Sequence, residues 1–184
     1  MNWFRHKPTQ RKYVEAAVQV ATNLYLHTIP GAEDAPAPLQ FSLPDSRFRY
    51  LIFCLNAVVA AALAYDEKKR IQPEALMNGC LKCAEWIATE NPGGYIEDSA
   101  NPEDATAYFE EFAYPWGRCV VFEKARSPRH AEVFELISSM IHTTESNLPA
   151  DETDKRRLLD LPVEISCRLP AVHGALVELA NRKS

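Results

Sequence analysis

Residues 50–65 read YLIFCLNAVVAAALAY, an apolar run broken only by Asn56, with Arg47 and Arg49 ahead of it and Asp66-Glu67-Lys68-Lys69-Arg70 behind it. A helix that is apolar all round cannot lie at a water-facing surface; other elements must surround it, or lipid must. Spanning a bilayer takes about 20 predominantly apolar residues, more than this run offers between its flanking charges. The sequence therefore predicts a central helix packed on every side, with no membrane association. That requirement sets the fold class: a mostly all-α, single-domain helical bundle organised around one apolar helix.

The remainder of the chain supplies the surrounding helices. At 184 residues it matches one domain by the usual ~100–200 residues each. A core can form at this size without disulfides or a structural metal. Val14, Ala17, Val18, Ala21, Leu24 and Tyr25 fall at helical spacing and predict a first helix over 9–28. Residues 1–8 are expected to be a frayed arm. Pro30, Pro36, Pro38 and Pro44 then enforce an irregular connector over 29–44. Asp45 or Ser46 can cap the central helix.

Pro73 suits the first position of a third helix, which Asn91-Pro92-Gly93-Gly94 ends. Asn101-Pro102-Glu103-Asp104 opens a fourth, with a cap residue, a first-turn proline and two first-turn acids, and Pro115-Trp116-Gly117 is expected to end it. Ser127-Pro128 opens a fifth that ends near His142. Two shorter helices are expected over 150–161 and 170–182, giving five to seven in all. The stretches 119–122 (CVVF) and 163–167 (VEISC) are β-branched and short, and read either as one minor strand pair or as pieces of helix.

Charge is distributed unevenly. The formal net charge is -5, and between Cys83 and Gly117 there is no Lys or Arg, while Glu85, Glu90, Glu97, Asp98, Glu103, Asp104, Glu110 and Glu111 are all acids. The rest of the chain is slightly basic. An overall acidic chain without a concentrated Lys/Arg surface is a poor nucleic-acid binder. The same stretch holds Trp86, Tyr95, Tyr108, Phe109, Phe112, Tyr114 and Trp116. On a helix from Asn101, the four acids Glu103, Asp104, Glu110 and Glu111 cluster opposite Tyr108, Phe109 and Phe112. Such a face can be simply the solvated side of an amphipathic helix. It can also steer and dock a basic partner protein, with Tyr108 and Tyr114 as anchors and Glu97 and Asp98 extending the acidic surface.

Metal and cofactor chemistry find little support. Glu103 and Glu110, like Asp104 and Glu111, are seven residues apart, which separates their carboxylates by about 10 Å along a helix. No Glu is followed three residues later by His, as a di-metal bundle requires. Cys80-Leu81-Lys82-Cys83 falls mid-helix with no second ligand pair, so its thiols are expected to face the core. All five cysteines are expected to be reduced and buried. With no apolar leader in the first residues, this predicts a cytoplasmic protein. No phosphate cradle, dinucleotide fingerprint or nucleophile elbow is present.

The reading that follows is a non-enzymatic binding protein, such as an inhibitor, adaptor or neutralising protein, with no cofactor and no metal. The alternative is a small-molecule-binding or catalytic bundle with a pocket near Cys119 and His130, in which the thiol acts as nucleophile and the imidazole as base.

Overall fold

The computed structural model describes residues 8–28, 46–91, 94, 96, 100–124, 131–132, 135 and 152–182. Five long helices carry this part of the chain: α1 (Pro8–Thr28), α2 (Ser46–Tyr65), α3 (Pro73–Glu90), α4 (Asp104–Lys124) and α5 (Glu152–Asn181). Of the described residues 86% are helical and none lies in a strand, so the architecture is an all-α bundle.

The apolar run is its axis. α2 packs against α1, α3, α4 and α5, and the side chains from Phe48 to Val59 are buried without exception. By length and composition α2 could cross a membrane, but here the neighbouring helices bury it. α1 contributes Tyr13, Val14, Ala17, Ala21 and Tyr25 to the same continuous core, α3 contributes Leu76, Cys80 and Ala84, and α5 contributes Ile165, Leu169 and Leu176.

Helix boundaries follow local chemistry where the sequence spells it out. α3 has Pro73 in its first turn, and Asn91 ends it in the left-handed region, φ 38°, with its N–H donating to the Ile87 carbonyl. The Asn91 side chain then clasps the backbone of Ile96, donating to its carbonyl at 3.0 Å and accepting its N–H at 3.2 Å. At the start of α4 the Asn101 carboxamide accepts the Glu103 N–H at 3.1 Å. The turn between α2 and α3 is tied down by Gln10 of α1, whose side chain donates to the Arg70 carbonyl at 2.8 Å and accepts the Gln72 N–H at 2.9 Å.

Two expectations are corrected. Pro115 does not end the fourth helix: α4 continues through it to Lys124, so 119–122 is helix and not strand. A proline inside a helix costs roughly 3 kcal/mol through its missing N–H and steric clash. Burying a large apolar side chain returns about 1.5–3 kcal/mol each, and Phe112, Trp116, Cys119 and Val120 all reach the core from the two sides of Pro115. Likewise 163–167, readable as strand or helix from the sequence, lies within α5, which runs unbroken where two short helices were expected. Ile165, Leu169, Val172, Leu176 and Ala180 form one buried stripe at helical spacing across that stretch. Pro170 is exposed, off that stripe. Of the expected arm over 1–8, Pro8 instead opens α1; residues 1–7, the connector over 29–44 and most of the expected fifth helix lie outside the described residues.

Candidate functional site

α4 and Glu103 just ahead of it carry most of the residues singled out for partner binding, and their geometry divides them into two groups. Trp116, Phe112, Phe109 and Ala105 define the inward side. Glu103 and Glu110 are exposed on the outward side, Asp104 is partly exposed, and Tyr114 continues the same outward stripe with 62% of its surface accessible. Val121, one further heptad along, is 64% exposed. Gly117 lies between them on that face, and a Cβ there would meet nothing within 4 Å. The outward stripe is therefore acidic at its N-terminal end and aromatic to aliphatic at its C-terminal end.

Glu111 and Tyr108 belong elsewhere. The Glu111 carboxylate turns toward α2 and pairs with the buried guanidinium of Arg49, and its side chain is only 22% exposed. Arg49 sits over the Tyr108 ring at 5.3 Å and near the Phe112 ring at 6.0 Å. Glu111 is thus part of the helix interface and not of the expected acidic face, because one buried cation in an apolar environment demands a countercharge. One further polar contact joins the same two helices: the Asn56 amide donates to the Phe109 carbonyl at 2.6 Å. Glu97 and Asp98 lie outside the described residues.

Beside Tyr114, Arg118 donates to its hydroxyl at 2.7 Å and to Glu132 Oε1 at 2.9 Å. Both bonds, Tyr114 first, push the guanidinium pKa further up. Glu132 is buried, so Arg118 links the surface stripe to an interior carboxylate.

The residues of the alternative reading are arranged unlike a nucleophile and base. Cys119 is fully buried on α4, and its Sγ lies 2.6 Å from the Ser166 hydroxyl of α5. Burial raises its thiol pKa, outweighing the lowering by Ser166. A neutral, enclosed thiol is a weak nucleophile. His130 lies outside the described residues. In the Cys80-x-x-Cys83 pair, Cys80 is buried and Cys83 half-buried, and desolvation raises both thiols. Cys167, expected to be buried, is exposed on α5 because it falls off that helix's apolar stripe. Among the described residues no three His, Cys, Asp or Glu side chains converge on a point where a metal ion would fit.

Sequence reasoning missed Arg49, Val121 and Arg118. Arg49 carried a signal, since it is a charge directly abutting the apolar run. Val121 becomes visible as a partner of Tyr114 only if the helix is extended through Pro115. A cleft between α1, the α2–α3 turn and α5 was also missed, because residues from three distant segments line it. Comparison of the chain with protein families, with characterised proteins and with solved structures gives no match.

Proposed function

We propose that the protein is a non-enzymatic binding module, acting as an inhibitor, adaptor or neutralising protein, and that the outward face of α4 receives a basic partner protein. The observation that supports it is the alignment of Glu103, Glu110, Tyr114 and Val121 on one solvent-facing stripe, with two large side chains left more than half exposed. Carboxylates at one end accelerate encounter with a cationic surface. An exposed tyrosine offers large contact area at low entropic cost, as interface anchors do. Residues at this spacing suit a partner groove that accepts one helix face. All five cysteines are thiols, which fits the cytoplasm as the working compartment.

The test is affinity capture of the tagged protein from its native cells, with the exposed acids reversed together (Glu103→Lys, Glu110→Lys) and, separately, with Tyr114→Ala. Glu111 is left intact so that Arg49 keeps its countercharge. The reading expects a partner retained at low salt, lost on charge reversal and weakened at every salt concentration by Tyr114→Ala. Capture that is indifferent to both changes makes the stripe a solvated surface and nothing more.

A further inference from the structure

Away from α4, a cleft of about 360 Å³ opens where the turn over 66–71 meets α1 and α5. This is within the size range of small-molecule sites, about 300–1,000 Å³. Tyr13 and Ile71, both buried, contribute to an apolar lining. Tyr65 of α2 and His173 of α5 form an aromatic wall, with ring centroids 5.9 Å apart and planes inclined at 41°. Val177 and Pro170 extend the apolar surface along α5.

The rim is a different kind of surface. Asp66, Glu67, Lys68 and Arg70 line the cleft, two anions and two cations within five consecutive residues. The turn that carries them is held rigidly. Asp66 Oδ2 accepts the Ile71 N–H at 2.7 Å, Gln10 grips the backbone at Arg70 and Gln72, and Lys69 takes the left-handed conformation at φ 48°. A backbone fixed in this way sets the points from which these four side chains reach the cleft, and less of the turn is left to be ordered when a ligand arrives.

We propose that this cleft binds a small zwitterionic aromatic molecule of the size of a free aromatic amino acid, with its ring against Tyr65 and His173 and its two charges held by the 66–70 turn. Aromatic rings pack favourably edge-on or offset at the separations found here. Arg70 supplies a planar fork for a carboxylate, with Lys68 as a second cation. Asp66 and Glu67 supply the complement for an ammonium group. A rim of balanced charge disfavours a multiply anionic ligand such as a nucleotide, which would meet both carboxylates at the mouth.

The experiment is a titration of the isotopically labelled full chain, followed through the His173 imidazole resonances, with L-tryptophan, tryptamine, indole-3-propionate and L-alanine as probes. His173→Asn identifies the resonance. The proposal expects L-tryptophan to shift it with a Kd below about 1 mM. It expects the two single-charge indoles and L-alanine to bind at least about tenfold more weakly, each lacking one of the three contacts. In the surface variants Arg70→Gln and Glu67→Gln, L-tryptophan should bind several-fold more weakly while the protein stays folded. Equal binding of all three indoles reduces the cleft to an apolar patch and overturns the proposal. So does an unmoved His173 at about 10 mM tryptophan, or unchanged affinity in both variants.

Discussion

At Gly79 α3 lies close against Val14 of α1, and the consequence of adding one methyl group there can be worked out. An alanine Cβ at Gly79 would lie 2.5 Å from Val14 Cγ2 and 2.9 Å from Val14 Cγ1. Val14 is buried and β-branched, so its methyls are held near one preferred rotamer. Overpacking of this kind costs about 1–3 kcal/mol. Opposing it is the helix propensity of alanine, about 1 kcal/mol better than glycine in a helix interior. Gly174 in α5 is the internal control, because a Cβ there meets nothing within 4 Å. Gly174→Ala should therefore gain about 1 kcal/mol, while Gly79→Ala should fall between neutral and about 2 kcal/mol destabilised. The gap between the two variants, about 1–3 kcal/mol, measures the clash alone. At about 2–4 °C per kcal/mol for a chain of this length, Gly174→Ala melts a few degrees above wild type and Gly79→Ala well below Gly174→Ala. Urea and thermal unfolding followed by far-ultraviolet circular dichroism give both quantities. A Val14→Ala background removes the two obstructing methyls and leaves only the Cβ at 3.3 Å, so Gly79→Ala should cost less there than in wild type, closing a double-mutant cycle. If Gly79→Ala equals Gly174→Ala in the wild-type background, the close approach of α1 and α3 is wrong.

Two more outcomes follow from groups already placed. Glu111→Gln removes the charge facing Arg49 and should cost about 3 kcal/mol in urea unfolding, whereas Arg49→Met combined with Glu111→Gln should recover most of that loss; a single variant as stable as wild type would refute the buried pair. Burial lowers the His173 pKa, against the raising pull of Asp66 and Glu67, so the native state disfavours the charged ring. The stability tied to its neutral form is complete above about pH 6.5 and drains away as pH falls through the lower native value. Wild type should accordingly lose stability relative to His173→Asn on acidification, and a pH-independent difference between the two would contradict it.

Much of the fold was legible because its signals are local. The apolar run, the spacing from Val14 to Tyr25, the prolines at helix starts and Asn91 at a helix end each act within a turn or two of themselves. The errors arose where distant packing overrode such signals. Pro115 and Gly117 both argue for a break, yet aromatic burial on either side holds α4 together. The β-branched run around Val163 becomes helix because Ile165 and Leu169 fall on the buried stripe. The candidate surface was half legible. Glu103 and Glu110 were placed by helical periodicity, but no pattern in α4 could announce that Glu111 is claimed by Arg49, sixty-two residues away. The cleft has no sequence signature at all, since its walls meet only on folding.

Arg49 and Asn56 stand two turns apart on α2, and both reach α4. A helix apolar on every side has almost no reason to prefer one angular setting over another, since each rotation buries a similar amount of hydrocarbon. The two polar side chains remove that degeneracy. Turning α2 by a single residue position, about 100°, would carry the guanidinium away from Glu111 and the carboxamide away from the Phe109 carbonyl. Both groups would then be dehydrated with nothing to replace the lost water. Hydrocarbon sets the strength with which α2 is held, while an arginine and an asparagine set its phase, as keys fix a shaft to its hub.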